Sequence, residues 1–277
     1  MKALPVVAAL LLALAPAARA ADDLSNPVAG HPGFTQFDLL KLVVTDLAHD
    51  ADGSVGGKTV VPFVHLEGKD ALVDLPDPLK VVSIEVVPMP GDPSREIMLA
   101  DFGQSEGFVA DGELMMLFSL DPKPRLLDVV QVGSDRFVAW VKPVEMLAKD
   151  APLLVIESEH DNSNQAYLST AMATVRGDKF IWIDSIFTFN EHYCGWQRMQ
   201  TPAIKPHPVK GSAYAAIDVR AVEETSRIEG DECGDDKIPK PSKRVFDTLY
   251  VWNLAKKTFT PNNKSIETLS KEDQKRF

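Results

Sequence analysis

The chain has 277 residues, 45% of them hydrophobic and 25% charged, with 20 Pro, 16 Gly and only 2 Cys. That is ample apolar material for a sizeable core, and it excludes wholesale disorder, collagen-like or coiled-coil chains and a disulfide scaffold. The formal net charge of −11 repels phosphate backbones, which excludes nucleic acid as a natural partner.

The N-terminus reads as an address. Met1-Lys2 is a short basic start, Leu4–Leu14 is apolar, and Ala18-Arg19-Ala20 is a small-x-small cleavage site. This is the three-part pattern of a secretory signal peptide over residues 1–20, cleaved after Ala20. No later stretch is long and apolar enough to span a bilayer, so the sequence predicts a mature chain in the periplasm or secreted from the cell. Cleavage removes Lys2 and Arg19 and no acid, which moves the charge to −13. Residues 21–277 read as a single β-rich domain, with a minor boundary at most in the proline-rich zone near 88–93.

Period-two alternation then recurs and helical periodicity is scarce. In chain order the predicted strands are Phe37–Asp46, Thr59–Leu66, Val82–Val86, Glu96–Asp101, Glu113–Leu120, Leu126–Val132 and Arg136–Val141. They continue with Leu153–Glu159, Gln165–Val175, Phe180–Asn190, Ile217–Ala221 and Arg244–Asn253. Gly and Pro signals punctuate them at Asp52-Gly53, Asp111-Gly112 and Arg176-Gly177-Asp178. Pro143–Lys149 starts with Pro and reads as a short helix, and a second helix is expected from Pro261 to about Gln274 with Thr260 as its N-cap. The fold class is therefore mainly β: an antiparallel sandwich, barrel or propeller-like assembly with a few short helices, including one at the C-terminus.

Candidate sites follow the same order. Asp46, Asp50 and Asp52 before Gly53 resemble a fragment of a calcium loop, but Val61 or Gly57 stands where its terminal acid belongs, and an Asp-Gly turn is the better reading. His65 lies within an alternating strand and reads as structural. Gly103-Gln104-Ser105-Glu106-Gly107 matches the G-x-S-x-G elbow of serine hydrolases, which would make Ser105 a nucleophile. That elbow requires a strand before it and a helix after it. Here the downstream residues carry a turn signal instead.

His160, Asp161, Asn162, Ser163, Asn164 and Gln165 form the densest run of hydrogen-bonding side chains, with Tyr167 just beyond. Read as a loop, this run offers the donors, acceptors and aromatic face that sugar or peptide recognition uses, and His160, Asp161, Asn162, Asn164 and Tyr167 are its candidate binding residues. Cys194 and Cys233 predict one disulfide in an oxidising compartment. A zinc site built from His192, Cys194 and Cys233 has no matching spacing, so no metal is expected.

From Lys237 to Phe277 there are 10 Lys and Arg against 4 Asp and Glu. This basic segment reads as a solvated helix or as a stretch lying across the acidic body. No P-loop, dinucleotide-binding fingerprint, H-E-x-x-H helix or paired C-x-x-C motif occurs, and no cofactor is expected. The sequence thus points to an exported module without catalytic activity that binds a carbohydrate, peptide or protein partner, with hydrolysis by Ser105 as the alternative.

Overall fold

A computed structural model of the chain describes residues 23–104, 111–133, 135–228 and 238–276. It is mainly β, its sheets are built almost wholly from antiparallel pairs, and the described residues hold two α-helices. The N-terminal part contains β1 (Pro27–Val28), β2 (His31–Thr35), α1 (Gln36–Leu40), β3 (Ala48–His49), β4 (Val55–Gly57), β5 (Val64–His65) and β6 (Leu79–Lys80). Four further strands follow: β7 (Ser83–Pro88), β8 (Arg95–Gln104), β9 (Asp111–Ser119) and β10 (Arg125–Val132). Next come β11 (Arg136–Trp140), β12 (Glu145–Ala148), β13 (Ala151–Asn162), β14 (Gln165–Arg176) and β15 (Lys179–Tyr193). The chain ends with β16 (Trp196–His207), β17 (Ala216–Arg227), β18 (Ser242–Asn253), β19 (Thr258–Pro261) and α2 (Ser265–Gln274).

Two sheets dominate. A five-stranded sheet runs β5-β10-β9-β8-β7, and a nine-stranded sheet runs β11-β13-β14-β15-β16-β17-β18-β19 with β12 also on β13. Because side chains alternate between faces, β8 sends Met98 and Ala100 into one apolar cluster and Ile97 and Leu99 into another. Strand β13 does the same, with Leu154 and Ile156 facing the five-stranded sheet while Leu153 and Val155 face away from it. Both strands are covered on both faces, which is why their sequences read as near-continuous apolar runs. The proline-rich stretch near 88–93 connects β7 to β8, neighbours in one sheet.

The nine-stranded sheet curls over on itself. Val155, Met172 and Ile186 of β13–β15 share one cluster with Ile217, Val219 and Phe246 of β17–β18 and with Ile266 and Leu269 of α2. The bend lies where β15 and β16, paired only over Glu191–Tyr193 and Trp196–Arg198, part company. Beyond that point side chains replace the ladder. The Phe189 N–H donates to Gln200 Oε1 (2.9 Å) and the Phe187 N–H to Ser270 Oγ (3.1 Å). Buried backbone donors require such partners.

A polar clamp completes the bend. Gln200 Nε2 donates to Glu223 (2.9 Å) and to Asp273 (3.0 Å). Arg276 reaches Glu191 (3.2 Å), Glu223 (3.4 Å) and Asp273, while Arg244 bridges Glu223 (2.8 Å) to Glu272 (3.0 Å). Burial would raise Glu223, but hydrogen bonds from Arg244 and Gln200 and the nearby guanidinium charges hold it below the usual carboxylate range. Asp273, fully buried, is pushed up by desolvation despite Gln200 and Arg276. The basic C-terminal segment therefore lies across the acidic body, where strands β18 and β19 and helix α2 carry it.

Three local readings of the sequence are corrected, and one strand changes faces along its length. Phe37–Asp46 is not a strand: Thr35 and Asp38 form a capping box around the start of α1, and Leu39, Leu40, Val43, Val44 and Leu47 bury one face at helical spacing. Pro143–Lys149 is not a helix, because seven residues are too few to hold one unaided, and β12 pairs with Ala151–Leu153 to bury Leu147. Thr260 is not an N-cap but pairs with Val251 in β18, so α2 begins only at Ser265. In β15 a register shift opposite Met172/Ala173 changes faces, so Ile183 and Ile186 point into the curl while Phe180 faces the five-stranded sheet.

Arg276→Ala takes its cation from the buried Asp273 and leaves Glu191 with Arg198 and Glu223 with Arg244. The expected loss is about 3 kcal/mol, the cost of breaking a buried pair from one side, read from urea unfolding. An unchanged midpoint would show that the clamp does not hold α2.

Candidate functional site

The run from His160 to Gln165 is a hairpin rather than a loop. Strand β13 continues through His160, Asp161 and Asn162, the turn is only Ser163-Asn164, and β14 resumes at Gln165. The register places His160 directly opposite Tyr167. Their rings stack with centroids 5.5 Å apart and planes 7° from parallel. Polar residues extend the strands here because the β13–β14 ladder continues through Asn162 and Gln165, which leaves their side chains for other work.

One carboxylate holds the pair. Asp135, 5% exposed, lies between β10 and β11, and its backbone N–H donates to Ser158 Oγ (2.9 Å). Its Oδ1 accepts from His160 Nδ1 at 3.1 Å and its Oδ2 accepts from the Tyr167 hydroxyl. With the proton on Nδ1, the Nε2 of His160 is left as an acceptor. Desolvation, then the hydrogen bond to Asp135 and its charge, raise Tyr167 above the ordinary tyrosine range. Phe187 backs Tyr167 at 5.2 Å.

Beside this hairpin stands a second one. The turn Cys194-Gly195, with Gly195 at φ 76°, joins β15 to β16, and the His192 N–H donates to the Asn164 carbonyl across the two hairpins (2.8 Å). Tyr193 and Trp196 are cross-strand partners whose rings stack at 5.0 Å, with the Arg198 guanidinium 5.5 Å over the Trp196 ring. Gln165 Nε2 donates to the Tyr193 hydroxyl (3.2 Å). Tyr193 is 36% exposed, and Asp161, Asn162, Ser163 and Asn164 are exposed around it. The two tips together present a partly exposed aromatic pair ringed by amide, hydroxyl and carboxylate groups.

The other predicted residues lie elsewhere. The Asp46 carboxylate accepts from the Lys58 N–H, the Thr59 N–H and the Thr59 hydroxyl, and Asp52 accepts from the Ser54 N–H and hydroxyl. These bonds lower both acids and describe turns rather than a cation site. His65 is buried, accepting from the Glu67 N–H at Nδ1 (3.1 Å), with Nε2 3.0 Å from the Gly133 carbonyl. Ser105 and Cys233 lie outside the described residues, and Cys194 is not a free cysteine. No cluster of three His, Cys, Asp or Glu that could hold a metal occurs among the described residues.

The sequence reading missed Asp135, which reaches His160 from a different strand connection, and Tyr193. The only signal for Asp135 is its place after Gly133 in a turn between two predicted strands. No family model, no curated protein and no solved structure matches the chain.

Tyr250 is raised in the same way as Tyr167, by burial and then by its hydrogen bond to Asp184 (2.6 Å). A phenol raised in the fold contributes its stability below the unfolded value of about 10 and loses it as pH climbs past that value. Native stability should therefore fall above a pH of about 10. The fall should be shallower in Tyr167→Phe. Urea midpoints across that range, with phenolate absorbance alongside, provide the check.

Proposed function

We propose that the chain is an exported, non-catalytic binding protein whose two hairpin tips recognise a carbohydrate or an extended peptide, free or within a protein partner. The observation that carries this reading is the partly exposed Tyr193–Trp196 stack, flanked by Gln165, Asn162 and Asn164. Flat apolar rings beside amide donors and acceptors suit the apolar faces and hydroxyls of a sugar, or the backbone of a peptide. The Asp135–His160–Tyr167 group behind the tips fixes the first hairpin, and a preordered surface loses less freedom on binding. The acidic body favours a basic partner, since complementary charge speeds encounter.

Export rests on the pattern of residues 1–20, and the mature chain should begin at Ala21. In that compartment Cys194 pairs with Cys233, tying the second hairpin to the acidic segment that follows β17. A closed loop of this length contributes roughly 4 kcal/mol in the chain-entropy account. Intact mass with and without thiol alkylation, on protein recovered from outside the cytoplasm, tests both points.

One observation favours a second reading, hydrolysis by Ser105. Asp135 and His160 stand as the carboxylate–imidazole half of a triad. Gln104 and Asp111, the described residues on either side of the motif's Ser105, pair at the end of the sheet where Glu113 of β9 pairs with Val132 at the end of β10. Against it, the chain resumes at Asp111 as a strand antiparallel to β8, where an elbow continues into a helix.

Glycan and peptide arrays should give saturable binding that Trp196→Ala and Tyr193→Ala each weaken by about tenfold, the scale of a lost aromatic anchor. Binding unaffected by both substitutions would remove the hairpin tips as the site. A fluorophosphonate label carried by the wild type and lost in Ser105→Ala would replace the binding reading with the hydrolytic one.

A further inference from the structure

The curled sheet contains a second polar centre, on the opposite face of β13. Glu157 and Thr170 are directly opposed in the β13–β14 register, on the face that carries Val155 and Met172 inward. They line a cleft of about 200 Å3 with Val141, Val155, Pro202, Ala203, Ile204 and Lys205. The cleft opens where β16, having left β15, pairs only with β17.

Its two polar side chains are in unequal states. Thr170 is 1% exposed and its hydroxyl has no hydrogen-bond partner, although most buried hydroxyls find one. Glu157 is half-buried, and among the described residues no cation lies within ion-pair distance of it. Burial, and then the neighbouring Glu159, raise its carboxyl. The cation in the cleft lining is Lys205, which is exposed on β16 and therefore screened by water. The surrounding walls are aliphatic. This is a built site with one acceptor-rich end and one apolar end.

We propose that this cleft binds a small aliphatic primary amine, its ammonium group lying between the Glu157 carboxylate and the Thr170 hydroxyl and its body against Val155, Pro202 and Ile204. An ammonium carries three donors and no acceptor, so it can serve both oxygens at once. A carboxylate ligand would meet Glu157 and Glu159 as like charges. A neutral alcohol would serve Thr170 but leave Glu157 without a counter-charge. A cleft of about 200 Å3 is on the scale of a small ligand, and a short aliphatic chain suits its walls. This inference concerns a different face from the hairpin tips and stands independently of the function proposed for them.

The test uses three isosteric probes on the full mature chain at neutral pH: 3-methylbutylamine, 3-methylbutanol and 3-methylbutanoate, titrated by calorimetry or NMR. The amine should bind saturably and about tenfold or more tighter than the alcohol, the difference made by one charge-assisted hydrogen bond. The acid should not bind. Glu157→Gln should bring the amine down to the alcohol's affinity while the alcohol is unaffected, and Thr170→Val should weaken both. Thermal unfolding shows that each variant is folded. The Gln variant, which removes a half-buried acid, should be at least as stable as the parent. Amine and alcohol binding alike, the acid binding as well as the amine, full amine affinity in Glu157→Gln, or no saturation by any probe on folded wild type would each overturn the proposal.

Discussion

The parting of β15 from β16 sets the shape of everything after Ala151. Hydrogen bonds hold these strands together over Glu191–Tyr193 alone; after that each must satisfy its backbone by other means. Strand β16 stays on β17, while β15 turns to the side chains of Gln200 and Ser270. The gap between them is what lets the sheet fold over, and α2 fills one side of it with Ile266 and Leu269. Gln200 is central because a single amide serves three elements: its oxygen accepts from β15, and its NH2 group donates to Glu223 on β17 and Asp273 on α2. An apolar residue of the same size would leave the Phe189 N–H without this partner, at about 1–3 kcal/mol, and would take one hydrogen bond each from Glu223 and Asp273, which keep Arg276.

Charge placement follows from the same geometry. The acidic excess of residues 21–236 does not repel the chain apart because the C-terminal cations are brought onto it. Arg244 and Arg276 meet Glu223, a buried carboxylate with no other cation among the described residues, and Arg276 adds to the Arg198 charge already on Glu191. Surface pairs such as Lys243–Glu224 and Lys271–Glu267 add little by comparison, since water screens them. What the sequence presents as a basic tail is the counter-charge of the interior.

Strand content was legible because most strands have one or two buried faces, and burial writes period two or an apolar run into the sequence. Strands β8, β9, β13, β14 and β17 are of this kind. The failures share a cause: tertiary partners outside the local window. Strand β12 reads as a helix until β13 is present to pair with it, and Thr260 reads as a cap until Val251 lies opposite. The capping box at Thr35–Asp38 is the exception, a local signal present in the residues themselves. At the hairpin, side-chain chemistry was visible but its setting was not. Polar residues were taken for a loop because polarity usually marks one, whereas here a two-residue turn suffices. Asp135 could not be assigned to His160 at all, since 25 residues separate them and only the pairing of β11 with β13 closes the distance.

The two faces of β13 show how one strand can carry two kinds of polar site. Ser158 and His160 look toward Asp135: the imidazole and the phenol each hold one of its carboxylate oxygens, and its amide donates to the Ser158 hydroxyl. Such a group rigidifies what it touches. Glu157, the residue just before Ser158, looks the other way, toward a hydroxyl to which it is not bonded and across a cleft with aliphatic walls. Nothing in the packing of the curl requires an acid there; Val155 two residues earlier occupies the same face as an ordinary core residue. Burial penalises a carboxylate without a counter-charge, so its presence beside an unpartnered Thr170 calls for a cationic donor from outside the chain, and the aliphatic walls limit which donors fit.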